Sequence, residues 1–356
     1  MANHAPPANP LHGNCASIST MWALGRIVAG LALAAAAAGA QDTLDIYFVD
    51  VEGGQATLIR APSGESLLVD AGWPGFNSLD ADRIAGAAKQ AGIAQIDYLV
   101  VTHYHTDHVG GVPELVEMLP VVHFVDHGPN LEDSQGAKDL YARYVAVREK
   151  GKHIQVKPGN TIPIKGVEVK IVAAAGELIG KPSGARTANP LCASAERRED
   201  DPSENARSVG MVIGFGKFRL VNLGDLTWNK ELDLFCPDNR LGTVDVYLTT
   251  HHGMNMSGPV AAVHALRARV AVMNNGAKKG GSPDAWRIVR DSPGLEDIWQ
   301  LHFALAGGSE HNAPEKLIAN LGENDMGDWI KISARRDGSF SVTNSRNGFT
   351  KNYAAR

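Results

Sequence analysis

Between positions 103 and 108 the chain reads His103-Tyr104-His105-Thr106-Asp107-His108, three imidazoles and one carboxylate within six residues. The run that delivers them, residues 96–102, is apolar nearly throughout and reads as a buried strand. A strand of that kind ending in that cluster fixes a polar, cation-binding end to an otherwise packed sheet. In an extended segment residues two apart share a side, so His103 and His105 can share one metal ion. Asp107 and His108, past the bend, can aim at a second. Imidazole nitrogen and carboxylate oxygen suit Zn²⁺, two per chain, and Mn²⁺ is the other cation this donor set takes.

One loop does not close two metal sites, so further ligands are expected at other strand ends. Asn222-Leu223-Gly224-Asp225 puts a carboxylate just past a hairpin strand, placed to bridge two cations. Residues 244–250 read as a buried strand running into His251-His252-Gly253. Each of these pairs is common by itself; with the 103–108 cluster they form a consistent set.

The remaining pattern predicts the frame. Residues 44–51, 55–60 and 66–70 read as a β-meander ended by Ala71-Gly72. Leu79, Ile84, Ala87 and Ala91 carry helical spacing, with Ser78 as the expected N-cap. Helix, strand, helix follow over 112–119, 121–125 and 131–150, then a strand at 167–173. Residues 176–207 are polar, without sustained period, and read as a surface insertion, since strands resume at 208–215 and 217–223. Residues 270–274 are another strand, and 329–334 with 339–343 form a hairpin around Asp337-Gly338. Two β-rich halves, each followed by helices, predict an α/β four-layer αββα sandwich folded as a single domain over 41–356.

Residues 1–40 carry no Asp or Glu and one basic residue, Arg26, ahead of an apolar run at 27–38 and the triplet Ala38-Gly39-Ala40. This is the pattern of a secretory signal cleaved before Gln41, with Met21 the better start. The run is shorter than the roughly 20 residues of a membrane span; an uncleaved anchor is the competing reading. The expectation is a secreted or periplasmic protein with no membrane span in the mature chain. Cys15 leaves with the leader, and the pair left behind, Cys192 and Cys236, is expected to form a disulfide pinning the insertion; two unpaired thiols are the alternative. With 34 Lys+Arg against 39 Asp+Glu the net charge is −5, which lacks the basic footprint of a stable nucleic-acid binder. The expected partner is a small-molecule substrate. Oligomeric state has no signal here.

Taken together, the strand, Asp70-Ala71-Gly72, the His-x-His-x-Asp-His loop, Gly224-Asp225 and His251-His252-Gly253 resemble the metallo-β-lactamase-fold hydrolases. Within them, the chain is most similar to the branch of ComEC-type competence-protein hydrolase domains and phosphorylcholine esterases. Asp50-Val51-Glu52-Gly53-Gly54-Gln55-Ala56 is similar to that branch's opening motif, Asn205-Ala206-Arg207-Ser208 with Leu223-Gly224-Asp225 to its next, and His251-His252-Gly253-Met254 to its last. The likeness spans about residues 44–275.

The resemblance implies His103 and His105 at one metal, Asp107, His108 and His252 at the other, and Asp225 bridging. His252 is preferred to His251 because the fold's last ligand commonly precedes a Gly; His251 then lies behind the ligands or faces substrate. Many members carry a further His where this chain has Asn205, which implies a first site completed by water. Gly53 and Gln55 depart from the branch's opening motif and leave that turn without an assigned role. Asp70 is implied as a carboxylate that orients a ligand.

The implied chemistry is hydrolysis by a metal-bound hydroxide, since a cation lowers the pKa of bound water to about 7. Asp107 and Asp225 are the catalytic carboxylates, and no Ser or Cys nucleophile is needed. The expected substrate is a phosphodiester or small anionic ester; a lactone or β-lactam is the alternative, and a structural-metal binding protein the third reading. His123 and His127 read as packing or surface residues. His302, His311, Asn274-Asn275 and Trp73 each read either as pocket wall or as ordinary core and turn residues.

Overall fold

Nine strands form the first sheet of this computed structural model, in the order Thr350–Tyr353, Phe340–Asn344, Ile330–Ala334, Leu44–Phe48, Thr57–Arg60, Ser66–Val69, Ile96–Val100, Val121–Asp126 and Lys152–Gln155. The structure describes residues 42–180, 187–322 and 327–356. The expected export leader, residues 1–40, lies outside the described residues. The second sheet runs Ile318–Asn320, Asp297–His302, Val270–Met273, Val246–Leu248, Phe218–Asn222, Gly210–Phe215, Val167–Ala174 and Thr161–Ile164, with Glu177–Leu178 paired to the 167–174 strand.

Period-two patterning builds the layers. Leu44, Ile46 and Phe48 point between the sheets, where they meet Ile171, Ile213, Leu220 and Trp299. Tyr47, Val49 and Val51 point the other way, to Ile84, Leu115 and Tyr144 of the helices Leu79–Gln90, Val112–Met118 and Gln135–Arg148. Val172, Val212, Val221 and Tyr247 do the same on the second sheet, against Leu234, Val263 and Trp286 of Trp228–Phe235, Val260–Leu266 and Pro283–Arg290. The expected αββα order is present. Each fully buried Leu, Ile or Phe contributes roughly 1.5–3 kcal/mol of transfer free energy, so three stacked apolar contacts hold the layers in register.

Parallel pairing positions the chemistry. In the first sheet Ser66–Val69, Ile96–Val100 and Val121–Asp126 are parallel; in the second, Phe218–Asn222, Val246–Leu248 and Val270–Met273 are parallel. Their carboxyl ends lead into Asp70, His103, His127, Asp225, His251-His252 and Asn274 respectively. Open sheets of this kind place ligand sites beyond such strand ends.

Three local expectations change. Ser78 holds the N-cap position, but the backbone from Phe76 to Ser78 is left-handed (φ 52°, 57° and 61°) and its side chain makes no capping bond. The helix expected from residue 131 starts at Gln135, capped by Ser134, whose side chain accepts from Ala137 N. The insertion is not featureless: Pro190–Ser194 and Glu204–Arg207 are 3₁₀ turns, and Glu204, Asn205 and Ala206 are buried. The expected Cys192–Cys236 disulfide is present. No helix among the described residues is long and apolar enough to cross a membrane.

Candidate metal centre

The loop after Ile96–Val100 stays extended through His105, the N-cap of the short helix Thr106–Val109 (φ −74°, ψ 153°). His103 and His105 therefore share a side, with His103 Nε2 and His105 Nδ1 3.0 Å apart. The following turn swings Asp107 and His108 around to a second group. Asp107, His108, Asp225 and His252 each offer one ligand atom, all within 4.8 Å of one another and all buried. His108 Nε2 lies 3.2 Å from His252 Nε2, 3.3 Å from Asp107 Oδ2 and 3.2 Å from Asp225 Oδ2. His252 Nε2 lies 3.2 Å from Asp107 Oδ2 and 3.4 Å from Asp225 Oδ2. Asp225 Oδ2 is also 4.0 Å from His103 Nε2 and 3.3 Å from His251 Nε2. One carboxylate thus touches both halves of the centre.

This donor set fits a metal. The outer nitrogen of His108, Nδ1, bonds Asp70 Oδ2 at 2.8 Å, and that of His252 faces the Asn274 side-chain amide at 3.0 Å. Both imidazoles therefore turn Nε2 toward a common point, and the carboxylate on the far nitrogen of His108 is the partner a ligating histidine takes. Asp70 is itself fixed, accepting from Thr102 N and Thr102 Oγ1, both at 2.7 Å. Donors about 2.0–2.2 Å from a tetrahedral cation stand roughly 3.3 Å apart, which is the spacing found.

The electrostatics match. Burial alone would raise Asp107 and Asp225, yet the facing imidazoles, His108 foremost, hold both well below the usual carboxylate range. Burial pushes His103 well down, with His108 adding to it. For His108 burial acts downward, but Asp225, Asp107 and Asp70 together hold it well above its ordinary value. Burial lowers His251 to about 4, so it is neutral near pH 7. Two anionic carboxylates around convergent imidazoles are set for a cation.

Local backbone conformation shapes the site as well. Asp70, His251 and His252 all have positive φ (60°, 55° and 55°), a conformation that costs non-glycine residues on the order of 1 kcal/mol or more each. Turning left-handed at the strand end sends His252 inward beside His108 while His251 goes to the flank, its Nδ1 3.3 Å from Ser257 Oγ.

The first site is sparser. Asn205 is buried on the 204–207 turn, its Oδ1 without a hydrogen-bond partner among the described residues, and it brings no donor into the four-ligand group. His105 Nε2 instead meets Glu132 Oε1 at 3.0 Å. His123 stacks on Tyr98, and His127 bonds Glu204 Oε2 at 2.9 Å, both away from the centre. His302 is buried against Asp50 at 2.7 Å; with Glu52 these offer donors too, but the Arg83 guanidinium pairs with both carboxylates at 2.9 Å and occupies that role. His311 packs edge-on to Trp286.

Four contributors escaped the sequence reading: Thr102, Glu132, Gln55 and Lys279. Gln55 receives a bond from the Asn274 amide and its backbone N donates to Asp107 O at 3.0 Å, which gives the opening turn a role in holding the ligand loop. Lys279 contacts Asp107 Oδ2 and stands over Trp73. The pair Lys278-Lys279, between Gly276-Ala277 and Gly280-Gly281 soon after a buried strand, was the signal for it.

Residues 49–195 match the model of the metallo-beta-lactamase superfamily. Among solved structures the chain is similar to the metallo-beta-lactamase fold protein YhfI from Bacillus subtilis, at 11% identity over 81% of this chain and 100% of that one, with a TM-score of 0.44. It is also similar to a diphosphatase from the PhnP family, at 14% identity over 71% and 93% of the two chains, TM-score 0.38. A third similar structure is a Cronobacter sakazakii metallo-beta-lactamase with a HARLDQ motif, at 16% identity over 59% and 79%, TM-score 0.34.

Proposed function

The chain carries a metallo-beta-lactamase superfamily domain and is a metal-dependent hydrolase, and from that premise we propose that it is an exported zinc enzyme cleaving a phosphodiester or similar small anionic ester. The observation that carries the reading is the convergence of Asp107, His108, Asp225 and His252 from three separate strand ends, with Asp225 Oδ2 in reach of His103 as well. The motifs shared with competence-protein domains and phosphorylcholine esterases favour an ester of phosphate.

His103, His105 and Asp225 would hold one metal, and Asp107, His108, His252 and Asp225 the other. A bound pair would supply a water acidic enough to ionise near neutral pH and a Lewis acid for the leaving oxygen. The chain's own part is orientation. Asp70 and Thr102 fix the ring of His108; Asn274 fixes that of His252. Asp107, anionic and facing His108 and His252, would accept a hydrogen bond from the attacking water and aim it. Export is favoured by the leader-like residues 1–40 and by the 192–236 disulfide.

The test is turnover of bis-p-nitrophenyl phosphate by protein stripped with chelator and reloaded with Zn²⁺ or Mn²⁺. Metal-dependent turnover is expected. Turnover of nitrocefin or an acyl-lactone instead, with none of the diester, would move the assignment to a lactone or β-lactam hydrolase.

A further inference from the structure

The loop after Val270–Met273 carries an ammonium into a centre otherwise made of imidazoles and carboxylates. Lys279 Nζ contacts Asp107 Oδ2, the same oxygen that faces His108 and His252. Its Nζ also stands 5.1 Å from the centroid of the Trp73 ring, a cation–π distance. The side chain is 29% exposed, so it reaches both the centre and solvent.

The backbone that presents it is clamped on two sides. Gly276 N donates to Lys279 O at 2.9 Å, closing a tight turn, and Gly281 N donates to His252 O at 3.0 Å. A Cβ at Gly280, which has φ +79°, would lie 2.2 Å from His252 O; one at Gly276 would lie 2.7 Å from the Glu52 backbone. Only glycine permits that approach on either flank. The turn is therefore locked to the ligand His252 and to the opening motif, and Lys279 is placed by the same backbone that places the ligands.

We propose that Lys279, backed by Trp73, binds the anionic group of the substrate beside the metal centre and selects singly charged oxyanion esters over neutral ones. This rests on the hydrolase reading above and names the chemistry of its substrate. With a cation on Asp107 Oδ2, that oxygen would be a weaker partner for the ammonium, which would keep the indole face. A point charge on a flexible stem then takes an oxyanion supplied from solvent. A neutral ester has no group for it.

Phosphate binding tests this separately from turnover. Inorganic phosphate is titrated into metal-loaded wild type, Lys279→Gln and Lys279→Arg by calorimetry, with metal content measured on each. The expected result is unchanged metal content, phosphate affinity about tenfold weaker in Lys279→Gln, the size of a lost charge-assisted hydrogen bond, and near wild-type affinity in Lys279→Arg. KM for bis-p-nitrophenyl phosphate should rise in Lys279→Gln with a smaller change in kcat, while KM for p-nitrophenyl acetate stays put. Equal phosphate affinity in wild type and Lys279→Gln, or none in wild type, overturns the proposal, as does loss of metal from Lys279→Gln, which would make the residue structural. Absence of metal-dependent turnover in wild type would instead sink the hydrolase reading, with the phosphate titration still deciding Lys279.

Discussion

His108 and His252 stand 144 positions apart in the chain and bring their Nε2 atoms to 3.2 Å. Two imidazole nitrogens brought that close need a proton or a cation between them. Each ring is prevented from turning away by its bond to Asp70 or Asn274. The pair is thus held in an arrangement that a metal relieves.

His251 and His252 separate on this basis. His252→Ala should lose bound metal, with kcat/KM down by more than about a hundredfold. His251→Ala, whose ring lies 3.3 Å from Asp225 at the flank, should keep its metal and lose less activity. Metal content by elemental analysis on both variants decides; the reverse ranking would make His251 the ligand.

Asp70 acts through His108. Asp70→Asn keeps the shape but no longer holds Nδ1–H against an anionic acceptor, so metal affinity should fall about 10–100-fold. Competition with a chromophoric chelator measures it. An unchanged affinity would show that Thr102 alone orients the ring.

Glu231 governs a pH effect on folding. Burial pushes its pKa from 4.5 up to about 8, although Gly258 N and Thr250 Oγ1 bond it and pull the other way. A folded pKa above the unfolded one means the folded state binds the proton more tightly. The stabilisation is complete below about pH 4.5 and is lost as pH rises to about 8. Glu231→Gln should therefore show a flatter Tm between pH 5 and 8 than wild type; parallel profiles would remove Glu231 as the source of the pH effect.

The disulfide closes a span of 44 residues. Replacing Cys192 and Cys236 together by Ser should destabilise the fold by about 3 kcal/mol, chiefly through the freer unfolded chain. Denaturant unfolding with matched metal content gives the value. Because the bridge ties the insertion rather than the ligand strands, kcat on any substrate found should change little.

The ligand loop was legible because its donors are consecutive and backbone geometry is local. An extended segment followed by one helical turn must split His103 and His105 from Asp107 and His108, whatever surrounds them. The layers were legible too, since alternation along Leu44–Phe48 and its partners states which face is buried. Hydroxyl and amide contributors were less so: Thr102 and Gln55 have no distinctive spacing, Asn274 read equally as a turn residue, and all three gain their roles only by meeting groups from other parts of the chain. Ser78 looked like a cap because its residue type fits one, but the left-handed turn before it belongs to packing the sequence does not announce.

What the order of residues determined by itself was the chemistry available: buried strands, a cluster of nitrogen and oxygen donors, and turns that stop strands at polar ends. Tertiary structure alone decided that His252 joins Asp107, His108 and Asp225 while His251 stands beside Asp225, that Asn205 brings no donor into that group, and that Lys279 reaches Asp107. The reason is physical. Donor types are properties of single side chains, whereas a metal or anion site depends on separations of about 3 Å between atoms on distant strands, and those are set by how two sheets stack.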